Sequence, residues 1–176
     1  MNQFSTSVIL IGMPGSGKST LGIQLAKMLA KDFIDTDLLI QTKHGQTLQD
    51  IINNQGYLAL RDIEEQVLLD THYPNHIIAT GGSAVYSEKA MQHLHHYGQI
   101  IFLDVALSEL KSRVSNIDTR GLARRPGQTF EELYEERQKL YERYANITIN
   151  CTGKSQKEIL DLIIYEDTEV YMDKDA

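Results

Sequence analysis

The sequence predicts a three-layer α/β fold, a parallel sheet with helices on both faces. Two features carry this expectation. Short apolar runs of strand length alternate with stretches of helical periodicity along almost the whole chain, as consecutive β–α units do. A glycine-rich turn also joins the first apolar run directly to the first helical stretch, the place where open parallel sheets bind phosphate. At 176 residues, with 41% hydrophobic and 23% charged side chains, the chain suits one domain with a real core.

Taken in order, Ser7–Ile11 is a buried strand, and Leu21, Leu25, Met28 and Leu29 repeat at helical spacing after it. Further strands are expected at Phe33–Ile34, His76–Ala79, Ile100–Leu103 and Ile147–Asn150. Helices are expected between and after them over Asp37–His44, Tyr57–Leu69, Ser87–His95, Ser108–Ser115, Thr129–Tyr144 and Ser155–Ile164. Thr129 and Glu132 form a capping box that fixes the start of the fifth of these. The segment Glu166–Ala176 has five acidic residues and one lysine and is read as a solvated, frayed end. The domain is therefore drawn over residues 1–166, with 167–176 as an acidic tail.

Several classes are set aside by composition. A net charge of −7 argues against nucleic-acid binding, which usually needs a basic stripe. No apolar run reaches membrane-span length, and the N-terminus lacks the pattern of a signal peptide. The single cysteine, Cys151, permits no internal disulfide and suits the cytoplasm. An acidic chain that handles phosphate must hold it with local groups, so individual arginines carry the interest.

Gly12-Met13-Pro14-Gly15-Ser16-Gly17-Lys18-Ser19 matches G-x-x-x-x-G-K-[ST] in full, after a strand and before a helix. The glycines let backbone N–H groups point inward at phosphate oxygens, and the helix adds the positive end of its dipole. Gly15, Ser16, Gly17, Lys18, Ser19 and Thr20 are the candidate nucleotide-binding residues. Lys18 can reach the β- and γ-phosphates, and the Ser19 hydroxyl can hold Mg²⁺. A guanine-reading Asn-Lys-x-Asp is absent, which argues against a GTPase switch. Gly153-Lys154-Ser155 repeats only the motif's ending and is read as a helix start.

Asp35-Thr36-Asp37 lies just past a strand, so both carboxylates sit at the sheet's carboxyl edge. One can orient a metal's water shell and the other can accept the proton of an attacking hydroxyl. Either reads equally well as a helix N-cap. Asp104, at the end of Ile100–Leu103, is a rival acid for the metal. Arg137 interrupts the apolar stripe Phe130, Leu133, Tyr134, Leu140, Tyr141 and Tyr144, so it needs an anion, a salt bridge or a route to the surface. Arg61 has Glu64 and Glu65 three and four residues on, a spacing that can fix its guanidinium or can equally form an ordinary exposed ion pair. If Arg61 and Arg137 meet, the pair can grip one small carboxylate. Gly81 and Gly82 end a strand, where a ligand can approach the backbone closely and take its N–H bonds. Arginines 113, 120, 124 and 125, with Gly121 and Gly127, suit a cover over the transferring phosphoryl group, about 113–127, although composition alone favours a basic surface loop. His93, His95 and His96 are read as a solvated patch rather than a metal site, and Cys151 as a strand residue rather than a nucleophile.

Together these landmarks resemble the shikimate kinase family from about Val8 to Ile164. They are Gly12–Thr20, Asp35-Thr36-Asp37, Arg61-Asp62-Ile63-Glu64-Glu65, Thr80-Gly81-Gly82, Arg113, Arg120-Gly121-Leu122 and Arg137-Gln138-Lys139-Leu140-Tyr141, in the family's order and spacing. The resemblance implies a P-loop kinase fold with five parallel strands in the order 2-3-1-4-5, and phosphoryl transfer from ATP to the 3-hydroxyl of shikimate. It implies Asp37 as the substrate-binding acid and base, with Lys18 and Arg120 also catalytic. It puts Asp35 with Ser19 at Mg²⁺. Arg61 and Arg137 would hold the shikimate carboxylate, and Gly81 and Gly82 would line the substrate. Arg113 would lie against adenine and Arg120 would be the lid arginine.

Three positions depart from the family pattern. Ser83 stands where a third glycine is usual, and its side chain is expected to crowd the ring or restrict the backbone. Gly121 replaces a proline, which is expected to loosen the lid. Lys139 replaces the proline of Arg-x-Pro-Leu-Tyr and adds a cation near Arg137. The expectation is a cytoplasmic, monomeric kinase with ATP and shikimate as its small-molecule partners and neither nucleic acid nor membrane. Alternatives are a kinase of another hydroxy acid or polyol, a nucleotide kinase, and a non-catalytic nucleotide-binding regulator.

Overall fold

The computed structural model describes residues 7–113 and 121–172, the side chains of 167–172 excepted. Five parallel strands form one sheet: β1 (Ser7–Ile11), β2 (Asp32–Asp35), β3 (His76–Ala79), β4 (Gly98–Asp104) and β5 (Ile147–Asn150). Their order is β2-β3-β1-β4-β5, as expected. All five residues of β1 are fully buried, which is why this segment shows a continuous apolar run and no alternation.

The helices are α1 (Lys18–Leu29), α2 (Thr36–His44), α3 (Leu48–Gln55), α4 (Tyr57–Leu69), α5 (Glu88–Tyr97), α6 (Leu107–Arg113), α7 (Phe130–Tyr144) and α8 (Gln156–Met172). From β1 the chain crosses to β2 at one edge, and from β3 it crosses back past β1 to β4. Right-handed crossovers in opposite directions must put their helices on opposite faces. Accordingly α1 packs on β1, β2 and β3 and against α8, while α4, α5 and α7 meet through a single 3₁₀ turn at Ala84–Tyr86. The reversal of direction opens a crevice beyond the carboxyl ends of β1 and β3.

Element bounds differ from the sequence reading mainly at their ends, with two exceptions. Helix α3 was not expected. Its start is nevertheless encoded, since Thr47 and Asp50 form a capping box. Helix α8 continues past Ile164 to Met172, with neither glycine nor proline in it to stop it. Its start is capped by Ser155, whose hydroxyl accepts from Glu158 N while the Glu158 carboxylate takes Ser155 N–H, as the helix-start reading of Gly153-Lys154-Ser155 requires. Beside the main core, a smaller apolar cluster of Ile40, Ile51, Leu60, Val67 and Ala123 joins α2, α3 and α4 to the returning chain. That cluster fixes the position of the Ala123 carbonyl.

Candidate active site

A cleft of about 320 Å³ lies at the carboxyl edge of the sheet. Its floor is the loop between β1 and α1. Gly12 has φ +147°, and a Cβ there would come within 2.9 Å of the Leu103 carbonyl oxygen, so the loop closes only with glycine. Lys18 is buried and folds back over the loop, its ammonium donating to the carbonyls of Gly12 at 2.8 Å and Met13 at 2.9 Å. The Ser16 hydroxyl is buried without a protein partner. Free helix N–H groups, a buried cation and an unpartnered hydroxyl together form a cradle for an anion.

Asp35 and Asp37 stand in different surroundings. Asp35 is the N-cap of α2, with Oδ1 accepting from the N–H groups of Asp37 and Leu38. Its other oxygen accepts the Ser19 hydroxyl at 2.5 Å. A hydroxyl and a carboxylate side by side at the phosphate loop are an all-oxygen donor set that fits Mg²⁺. Asp104, the rival, instead accepts from Gln138 Nε2 at 3.1 Å. Asp37 lines the cleft.

Glu64 lies beside Asp37, a position not legible in the sequence. A Cβ on Gly81 would fall within 2.5 Å of Asp37 Oδ1 and nearer still to Glu64 Oε1, so the glycine is what lets the two acids come together. Glu64 is only 2% exposed, and Ser83 donates its hydroxyl to Glu64 Oε2. Burial, and after it the Asp37 charge, push the Glu64 carboxyl up to about 7 against an ordinary 4.5. The folded chain therefore keeps this proton over a range where the unfolded chain has lost it. The stability so gained is present below the unfolded value and disappears as pH rises through the folded one. Glu64→Gln should accordingly gain in thermal midpoint relative to the native chain between about pH 5 and pH 8. A difference independent of pH would mean that Glu64 titrates normally.

Arg61 and Arg137 do meet. Their Nη2 groups donate to one acceptor, the Ala123 carbonyl, at 3.0 Å and 3.1 Å. Arg137 is 1% exposed, and the Nε atoms of both arginines are buried without a partner. Arg61 does not take the orientation expected from Glu64 and Glu65. Glu64 turns to Ser83 and Glu65 accepts from Ser87, while the Arg61 guanidinium stacks 3.4 Å from the centre of the Tyr86 ring. Tyr86 is held in turn by Glu136, to which its hydroxyl donates at 2.5 Å. No signal in the sequence singled out Tyr86. Gly82 packs against Arg137: a Cβ there would lie 2.7 Å from Nη1. The Gly81 N–H donates to the Thr36 hydroxyl, so it is already engaged within the protein, contrary to its expected donation to a ligand.

Arg113 reaches the phosphate loop, donating to the Gly15 carbonyl at 3.4 Å, and is paired with Glu109. Arg120 lies outside the described residues, as do residues 114–119 of the proposed cover. His93 is half-buried, within hydrogen-bond distance of the Thr71 carbonyl, and edge-on to His72 and Tyr97. His95 and His96 are exposed, and among the described residues no cluster of three or more such groups could hold a metal. Burial pushes the Cys151 thiol up to about 12, which makes it inert.

A model of the family described as shikimate kinase matches residues 14–167 of the chain. The chain belongs to the shikimate kinase family. The shikimate kinase of Rippkaea orientalis is 43% identical, over 89% of this chain and 87% of that protein. That of a Sulfurihydrogenibium species is 33% identical, over 90% and 95%. A shikimate kinase from Acinetobacter baumannii, solved in complex with shikimate, superposes with a TM-score of 0.82 at 27% identity, covering 92% of each chain.

Against the shikimate kinase pattern, each departure has a structural account. Ser83 takes ordinary torsions, φ −98° and ψ 0°, so its side chain causes no backbone strain. Lys139 is exposed on α7, on a different side of the helix from buried Arg137, and does not join the arginine pair. Gly121 does not behave as a loosened joint. It sits at φ +71°, its N–H donates to Gln49 Oε1 at 3.0 Å, and a Cβ would approach Leu48 Cβ to 2.6 Å. A proline there would need negative φ, would lack the N–H and would strike α3. Gly121→Pro should destabilise the fold by roughly 2–3 kcal/mol, read by urea unfolding. An unchanged midpoint would show that this packing contributes nothing.

Proposed function

We propose that the chain transfers the γ-phosphoryl group of ATP to the 3-hydroxyl of shikimate. The observation that carries this reading is the convergence of Arg61 and Arg137 on one oxygen in the cleft that also holds Lys18 and Asp37. Two guanidiniums aimed at one point suit a carboxylate, which offers them two oxygens and a full charge. With its carboxylate there, the ring of shikimate would lie over Gly81 and Gly82, with its hydroxyls toward Asp37.

Gly15 to Thr20 would hold the triphosphate of ATP, with Arg113 beside the loop and Arg120 over the transferring group. Ser19 and Asp35 would hold Mg²⁺, which would supply positive charge to offset that of the phosphates. In the transfer, the acceptor oxygen attacks the γ-phosphorus, the bond to the β,γ-bridging oxygen breaks and ADP leaves. Asp37 orients the acceptor hydroxyl and takes its proton. Lys18, the loop amides and Arg120 stabilise the charge on the moving group. Every group named belongs to one chain, so we take a monomer, with residues 1–166 as its kinase domain, to be sufficient. No helix among the described residues is long and apolar enough to cross a membrane.

The test is ADP release from ATP and Mg²⁺, with and without shikimate. Release that depends on shikimate is the expected result. Release indifferent to it would move the acceptor to another hydroxy acid or polyol. No release with any acceptor would move the chain to a regulatory role.

A further inference from the structure

Arg61 and Arg137 carry like charge, yet both give an Nη2 donor to the Ala123 carbonyl. A single neutral oxygen offsets only part of the repulsion between two cations so close together. Both guanidiniums also lie over one aromatic ring. The centre of the Tyr86 ring is 3.4 Å from Arg61 Cζ and 5.5 Å from Arg137 Cζ. Both distances fall where the negative face of a ring attracts a cation. Tyr57, one turn before Arg61 on α4, adds a second ring at 5.2 Å.

The Tyr86 ring is held at both ends. Its backbone closes the 3₁₀ turn Ala84–Tyr86, with Tyr86 N–H donating to the Ser83 carbonyl at 3.1 Å. At its tip the hydroxyl donates to Glu136 Oε1 at 2.5 Å. Glu136 is fixed in turn, because its Oε2 accepts from Arg125 Nη2 at 2.8 Å and from Gln128 Nε2 at 3.0 Å. Glu136 also precedes Arg137 on α7, so one helix carries both the group that pins the ring and one of the cations above it. An arginine side chain has many rotamers, and ordering it before a ligand arrives removes a cost that binding would otherwise carry. We propose that Tyr86 is a positioning residue for the acceptor: its face holds the Arg61 guanidinium beside that of Arg137, so that the acceptor's carboxylate meets both already in place. This inference rests on the shikimate reading above.

It is tested by initial rates for the native chain, Tyr86→Leu, Tyr86→Phe, Arg61→Ala and Arg61→Ala with Tyr86→Leu. Tyr86→Leu keeps an apolar side chain but has no aromatic face, and it should raise KM for shikimate about tenfold. KM for ATP and kcat should stay near native values. Phenylalanine keeps the face and loses only the bond to Glu136, so it should hold shikimate KM within about threefold of native. In the Arg61→Ala background, Tyr86→Leu should lower kcat/KM for shikimate no further, because the side chain that the ring positions is gone. A general loosening of the cleft would instead persist in that background. An unchanged shikimate KM in Tyr86→Leu, an equal rise for ATP, an equal loss in Tyr86→Phe, or a loss that persists beside Arg61→Ala would each overturn the proposal. A native chain that ignores shikimate would bring down the shikimate reading and this inference together. A native chain that responds to shikimate while Tyr86→Leu matches it would bring down the inference alone.

Discussion

Asp37→Asn is expected to lower kcat by ~10²–10⁴-fold while ATP affinity is unchanged. The asparagine keeps the size and the acceptor oxygen of aspartate but cannot take a proton at neutral pH. Capping of α2 is unaffected, because Asp35 supplies it. The phosphate loop is unaffected too, since Lys18 is held by Gly12 and Met13. The loss should therefore fall on the chemical step alone. Single-turnover rates together with ADP titration separate the two. Turnover within a few-fold of native would take Asp37 out of the mechanism.

Arg137→Ala should raise KM for shikimate by a factor of roughly 30 to several hundred. Truncation removes one of the two guanidiniums that meet at the Ala123 carbonyl and the charge that faces buried Glu64, and it leaves a void in a packed wall. Stability should fall by about 3 kcal/mol as well, measured by denaturant unfolding. Arg137→Lys restores the charge without the planar fork, so it should recover much of the stability and little of the affinity. A variant whose KM rises for ATP and not for shikimate would place Arg137 at the nucleotide instead.

Much of this site was legible before any coordinates, and the reason lies in the kind of signal each residue leaves. The phosphate loop is contiguous, so its spacing carries its geometry. Arg137 was visible because burial made it an anomaly in an otherwise apolar stripe. Its meeting with Arg61 follows from the family resemblance and not from spacing, since two residues on separate helices reach one carbonyl only through the way α4 and α7 pack. Glu64 was misjudged for a related reason. Spacing on α4 offered it to Arg61, whereas the packing of that helix turned it toward Ser83 and Asp37. Helix α3 carries its own signal, since Thr47 and Asp50 mark its start and Leu48, Ile51 and Ile52 repeat at helical spacing. The run Leu48–Gln55 is short and otherwise polar, however, so the stripe spans little more than one turn.

Gly121 and Gln49 bear on how far results transfer between members of the family. Since the glycine's backbone fills the space beside Leu48 and its N–H occupies the Gln49 side chain, positions 48, 49 and 121 form one unit. The effect of a substitution at 121 depends on what stands at 49, and the two changes will not add. A proline tolerated in a relative predicts nothing about this chain unless the start of α3 is exchanged with it. Chimeras that swap the 113–127 segment alone would inherit a mismatch, and those that carry 47–50 along would not.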